Sequence, residues 1–471
     1  MLPLLVLALA APPADLIASV DARGDATWAV ARRIWEFAEG GYLETQSSAL
    51  LADHLEKAGF AVQRGVAGMP TAFTATFGSG KPVVAVLGEY DALPELSQDA
   101  TPVRQPRAGG TGNGHACGHH LFGAASASAC IAIAEQIKAG KLTGTVRFYG
   151  CPAEEGGAGK VFLVRDGLFG DVDVALHWHP ASRTAAGDRS CLARVAAKFR
   201  FHGKASHAAG SPEKGRSALD ALVLTMHGAE LLREHTPDGT RLHHTVTSGG
   251  GAANVVPEFA EGFFYVRHPK ASVVAELWPR LLKCAQAGAL ATETRLEVQH
   301  LGGTMELLPN QTLGRVVKGH LTALNDLSFT PAEEAFAVRI RETLDAPPPL
   351  DELRTVFDES GKTGMGSTDV GDVSWVVPTT GFSTATWVPG TSAHSWQAVA
   401  CGGTTIGRKG MQLAARTLAA AAWDLFADPK LVAAAKAEFA QRKAGRVYKP
   451  VLEDGQKPPL DYRLTRRPGS E

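Results

Sequence analysis

The chain has 471 residues, 45% hydrophobic and 20% charged, with 47 basic and 48 acidic side chains and a formal net charge of −1. That length is too great for one simple core and predicts at least two domains. Balanced charge without a basic run excludes nucleic acid as an obligate partner, no apolar run is long enough for a membrane span, and the six scattered cysteines lack any CxxC and exclude a disulfide scaffold.

Residues 2–11, LPLLVLALAA, precede Pro12-Pro13 and read as the apolar core of a secretory signal, with Ala8-Leu9-Ala10 as a small-residue cleavage site. Residues 1–14 are therefore set apart, and a periplasmic or secreted protein is expected. Without cleavage the same segment is the apolar start of a first helix in a cytoplasmic protein. From 15 to 60, helical periodicity (Leu16, Val20, Trp28, Ile34, Leu51, Leu55) predicts two helices, separated by a loop at Gly40–Thr45. Val83–Leu87, Thr145–Tyr149 and Val172–Leu176 are apolar β-branched runs of buried-strand type, with helices predicted at 121–138 and 159–168. Alternation of strand and helix predicts an α/β catalytic domain with a mixed, largely parallel sheet.

The texture changes near residue 191. Leu192–His202 alternates like a half-exposed strand. A helix at 216–235, strands near 242–247 and 259–267, a helix at 271–288 and a strand near 294–300 complete a β-α-β-β-α-β order. That order is ferredoxin-like and predicts an inserted α+β domain over 191–302. The catalytic domain is then split into 15–190 and 303–440. Its second part is predicted to contain a strand at 373–377 and a helix at 403–426. Residues 441–471, rich in Pro and charge, are expected to form a surface or partly disordered extension.

The candidate chemistry lies at the ends of the apolar runs, where ligands collect in parallel sheets. In Gly-Asn-Gly-His-Ala-Cys-Gly-His-His, 112–120, Cys117 and His119 stand at i and i+2, a spacing that lets thiolate and imidazole bind one metal or bridge two. Glu154-Glu155 occupies a turn after a strand, so one carboxylate can bind a metal while its neighbour acts as general base. The pair also suits a helix N-terminus. His177 and His179 flank Trp178 on one strand face, and either can ligate. Asp91, just past a buried strand, can orient a ligand or cap a turn. His207, Asn254 and Arg267 are locally unremarkable turn or strand-end residues, and His394 stands out only as part of the set.

Taken in order, GEYDALPELSQ, GNGHACGHH, RFYGCPAEEGGAGKVFLVRDGLF, ALHWHP, FHGKASHAAGSPEKGRSALDA, NVVPE, GSTDVGDVSWVVPT and HSWQ resemble the dinuclear aminoacylase/carboxypeptidase/amidohydrolase superfamily of metallopeptidases. Coverage runs from about residue 15 to 430, and the chain looks most like the aminobenzoyl-glutamate branch of amidase subunits. The resemblance implies two Zn²⁺ or Mn²⁺ ions, with Cys117 bridging, His119, Glu155 and His394 as ligands, and either His177 or His179 completing the set. It implies Glu154 as general base, His207 reaching across a dimer interface to polarise the scissile carbonyl, and Asn254 and Arg267 holding the substrate carboxylate. The chain departs from relatives in carrying Glu89 in place of a ligand histidine, His120 in place of Asp, and Tyr265 in place of an Asp. The implied activity is hydrolysis of N-acyl or N-aroyl amino acids by a homodimer. Two other roles fit the same resemblance: a dipeptidase, or a non-catalytic metal-binding component of a heteromeric amidase.

Overall fold

A computed structural model describes residues 11–464. The signal-like segment, apart from Ala11, lies outside the described residues. Strands β1 (Ala61–Arg64), β2 (Phe73–Ser79), β3 (Val83–Glu89), β4 (Gly144–Cys151), β5 (Val174–Ala181), β6 (Thr184–Ala186), β7 (Ala193–His202), β8 (Arg241–Ser248), β9 (Phe259–His268), β10 (Arg295–Thr304), β11 (Val356–Asp358) and β12 (Thr379–Ala385) make two sheets.

The larger sheet has the order β1-β2-β4-β3-β5-β12-β6-β11. Its centre is parallel, β3 pairing with β4 and β5, and β5 with β12; β1, β2 and β4 add an antiparallel edge. β3, Val-Val-Ala-Val-Leu-Gly-Glu, is buried along its whole length, as an unbroken apolar strand covered on both faces must be. The helices His119–Lys138 and Thr405–Ala427 pack on each other and on this sheet, their many alanines allowing close approach. Val84, Phe148, Leu176 and Leu418 belong to one continuous core.

The second sheet is wholly antiparallel, in the order β10-β7-β9-β8. With the helices Ala218–Arg233 and Ala271–Ala291 it gives the ferredoxin-like connectivity expected from the sequence. It has its own core, including Phe199, Phe201, Leu222, Phe264 and Leu277. On β7 the outward residues Lys198, Arg200 and His202 alternate with the buried Phe199 and Phe201.

Three expectations need correction. Residues 15–60 form three helices, because the first stretch breaks at Arg23 into Ala14–Ala22 and Gly24–Phe37 ahead of Thr45–Lys57. The strand expected at 373–377 is a short helix, Val370–Ser374, and β12 starts only after Pro378. Side-chain anchors hold that helix: Asp372 accepts from Met305 N at 3.1 Å and Tyr448 Oη at 2.8 Å, and Ser374 Oγ accepts from Leu308 N at 2.8 Å. Its valines are buried as helix residues, which periodicity over five positions cannot distinguish from a strand. Finally, the segment from 445, expected to be a surface or partly disordered extension, runs along the surface but is anchored to the fold up to residue 464. Val451 packs against Gly303, where any side chain would collide with it, and Tyr462 is buried.

Candidate active site

The parallel strands β3, β4, β5 and β12 send their C-terminal ends to one edge of the sheet, and the loops that follow carry the candidate residues. A cavity of about 520 Å³ opens there, with Cys117, Glu154, Glu155, His179 and His394 in its wall. Donor atoms of Cys117, His119 and His179 lie within 4.8 Å of one another, as do those of Cys117, Glu155 and His394. The two groups share one thiol, the arrangement a bridged pair of ions requires.

Hydrogen bonds fix which imidazole nitrogen is free. His119 Nδ1–H donates to Asp91 Oδ1 at 2.8 Å, and His179 Nδ1–H donates to the Pro180 carbonyl at 2.7 Å. Both acceptors lack a proton to give, so each ring can present Nε2 to a metal, and that of His179 stands 3.4 Å from Cys117 Sγ. Asp91 also accepts from Glu155 N at 2.9 Å, tying both metal groups to one buried carboxylate. His119 Nε2 and Glu155 Oε1 are buried and held only by ion-pair contacts, His119 Nε2 at 3.1 Å from Glu89 Oε2 and Glu155 Oε1 at 3.1 Å from His394 Nε2. The residues therefore fit a pair of divalent ions, with thiolate, imidazole and carboxylate donors.

A third group, Glu89, His119 and Glu154, lies within the same distance. Glu89 is already committed: Lys160 Nζ sits 2.6 Å from it and 2.6 Å from Asp369, all three fully buried. Glu154 is left uncommitted. Burial, reinforced by the charges of Glu89 and Glu155, pushes its carboxyl well above the usual range, the direction that suits a proton carrier. Glu155 goes the other way, to about 2: burial opposes its ionisation, but the hydrogen bond to His394 and that residue's charge prevail.

The turn bearing both glutamates is held from outside. Ala153 adopts φ 56°, a left-handed conformation costing about 1–3 kcal/mol for a residue with a Cβ. Its N–H donates to buried Glu44 at 2.8 Å. Tyr462 Oη donates to the Glu155 carbonyl at 3.1 Å, and Arg463 donates to the same oxygen. Gly118, at φ 77°, caps the helix that starts at His119, and a Cβ there would lie 2.6 Å from Pro180.

Not every residue singled out in the sequence joins this constellation. His177 shares the face of β5 with His179 but lies deeper, its ring over Gly381 where a Cβ would sit 2.2 Å from Nε2. It lines the cavity without entering either metal group. His120 points away, bonding Gly402 O at 3.0 Å. His207 and Asn254 are exposed on the second sheet's domain, neighbours through the Ala208 N to Asn254 O bond of 2.9 Å, and neither lines the cavity. Arg267 does line it. Sequence reading missed Lys160, Asp369, Arg194, Tyr462 and Arg463. A lysine in the apolar helix Gly159–Arg165 and a Tyr-Arg pair in a charged tail were the available signals.

Comparison with known proteins agrees with this geometry. Residues 194–293 match the family model described as a peptidase dimerisation domain. The chain is 40% identical over 439 residues to one of the p-aminobenzoyl-glutamate hydrolase subunits of Escherichia coli, covering 88% of this chain and 91% of that one. It is 29% identical to a mouse Xaa-Arg dipeptidase, over 89% and 90% of the two chains. Its fold resembles that of a Bacillus subtilis dinuclear metal binding peptidase from the M20 family, with a TM-score of 0.56 at 16% identity, over 86% of this chain and 99% of the other. Two candidate metal-ligand groups at the edge of a parallel sheet, a ferredoxin-like insertion and a near full-length relative agree: the chain belongs to the M20 family of metal-dependent peptidases and amidohydrolases.

Proposed function

We propose that this hydrolase cleaves the amide bond of N-acyl or N-aroyl amino acids of the p-aminobenzoyl-glutamate kind. The observation that carries the reading is the pair of ligand groups sharing Cys117 beside an uncommitted Glu154, supported by the 40% identical relative of that name. Two Zn²⁺ or Mn²⁺ ions, held by Cys117, His119 and His179 and by Cys117, Glu155 and His394, would supply Lewis acidity to the scissile carbonyl and to water. Glu154 takes the water proton and returns it to the leaving nitrogen. Asp91 keeps His119 in its ligand tautomer, and Arg267 holds the substrate carboxylate in the cavity wall, with Asn254, exposed outside that cavity, joining it only from the opposite protomer or after lid closure.

The division into 15–190, 191–302, 303–440 and 441–471 belongs to the same proposal, with the inserted domain as lid and dimer interface. Val223, Leu224 and Leu231 of the helix Ala218–Arg233 and Val246 of β8 are exposed apolar residues on that domain, which favours a homodimer. His207 then polarises the carbonyl in the opposite protomer's site, and lid closure excludes water. The 40% identical Escherichia coli relative is named as one component of a multi-subunit hydrolase, which also favours a second, heteromeric association. Export through residues 2–11 is tested by N-terminal sequencing of the mature protein.

A dipeptidase is the second reading, favoured by the 29% identical relative. A panel of N-acyl amino acids against dipeptides with a free α-amine separates the two. Higher kcat/KM on the acylated series supports the amidase, and a preference for the free amine replaces it with the dipeptidase.

A further inference from the structure

Arg194 and Arg267 face each other directly across the β7–β9 ladder, and both line the cavity that holds the metal ligands. Like charges opposed in this way destabilise a sheet. Their guanidinium groups lie 5.6 and 5.1 Å from the ring of Tyr265, which stands two positions before Arg267 on β9. Arg194 is only 5% exposed, yet its Nη1 has no hydrogen-bond partner, and neither has Nε of Arg267. The single side-chain bond of the pair runs from Arg267 Nη1 to Ser367 Oγ at 3.3 Å. Among the described residues no carboxylate lies within 4.0 Å of either guanidinium. Arg189, in the same wall, is by contrast paired with Glu359 at 3.3 Å. One buried and one half-buried cation, opposed and with no carboxylate partner, on the wall of the candidate active-site cavity form an anion site.

One substrate carboxylate satisfies only one of them. We infer that Arg194 binds a second carboxylate of the substrate, so that the enzyme selects amides of dicarboxylic amino acids over their neutral isosteres. The inference rests on the amidase reading for its chemistry, but the anion site itself does not. Arg194 is a specificity residue here, since the hydrolysed bond lies at the metal groups.

The test uses the full-length, metal-loaded protein with N-acetyl-L-glutamate and N-acetyl-L-glutamine, which differ by one charge and little in shape. Wild-type protein is expected to favour the glutamate by about 10- to 100-fold in kcat/KM, the range for a charge-assisted hydrogen bond. Arg194→Gln should bring that ratio near one, mainly through KM, while Arg194→Lys keeps part of it. A ratio within one variant is insensitive to how much of that variant has folded. Calorimetric titration with both compounds gives the same discrimination without turnover. If neither compound nor any other N-acyl amino acid is hydrolysed, the amidase reading fails, and the calorimetric ratio still decides the role of Arg194. A wild-type ratio near one by both measures, or an unchanged ratio in Arg194→Gln, overturns the inference.

Discussion

The two sheets treat their candidate residues in opposite ways. At the edge of the parallel sheet the ligands are buttressed: Asp91 holds His119 and the Glu155 backbone, Pro180 holds His179, and Tyr462 holds the turn of Glu155. On the antiparallel sheet's domain, His207 and Asn254 stand in solvent, with His207 Nδ1 accepting only from the Ala209 and Gly210 N–H groups at 3.2 and 2.9 Å. One region brings its candidate metal ligands together within a single chain. The other presents residues that need something brought to them. Preorganisation is thus concentrated at the candidate ligands and absent at His207 and Asn254, where the proposed dimer or lid closure would supply contact.

The largest effect that can break this contrast is at Glu154. Glu154→Gln should lower kcat by about 10²–10⁴-fold while elemental analysis still finds two metals per chain, and near-normal turnover would remove its role as base. His207→Ala should also lower kcat strongly. Mixing His207→Ala chains with Glu154→Gln chains should restore activity to roughly a quarter of wild type if dimers exchange at random and His207 acts across the interface. No recovery in a mixture shown to have exchanged protomers would place His207 in its own chain's site or outside catalysis.

Asp91→Ala removes a buttress rather than a ligand, and about 10- to 100-fold weaker metal binding is expected. Retention of metal through dialysis against chelator, at wild-type rate, would contradict that. The smallest effect concerns Asp372, which burial pushes up to about 7 from an ordinary 3.8. A raised carboxyl contributes stability below 3.8 that is lost as pH rises through about 7. Asp372→Asn should therefore gain Tm relative to wild type between pH 5.5 and 8, and a constant difference would show that Asp372 does not titrate there.

The metal residues were legible because each follows an apolar strand and carries its spacing locally, as in Cys117-Gly118-His119 and Glu154-Glu155. The ferredoxin-like insertion was legible for the same reason, its alternation and helix periods being long. What was illegible depended on contacts between distant segments. That His179 rather than His177 joins a candidate ligand group follows from depth in the sheet and from Gly381 on a neighbouring strand. Lys160 meets Asp369 over 209 positions, and Tyr462 meets Glu155 over 307, distances at which no local pattern survives. The five-residue helix Val370–Ser374 was misread because its anchors, Met305, Leu308 and Tyr448, come from elsewhere in the chain.

The central claim is that the Cys117-centred ligand groups and Glu154 make an amidohydrolase. It is tested most directly by measuring arylamine release from p-aminobenzoyl-glutamate with the purified chain, as isolated, after chelation, and after reloading with Zn²⁺ or Mn²⁺. Release that chelation abolishes, reloading restores and Glu154→Gln lacks is the predicted result. Release that persists in metal-free protein, or in Glu154→Gln at the wild-type rate, would contradict the account.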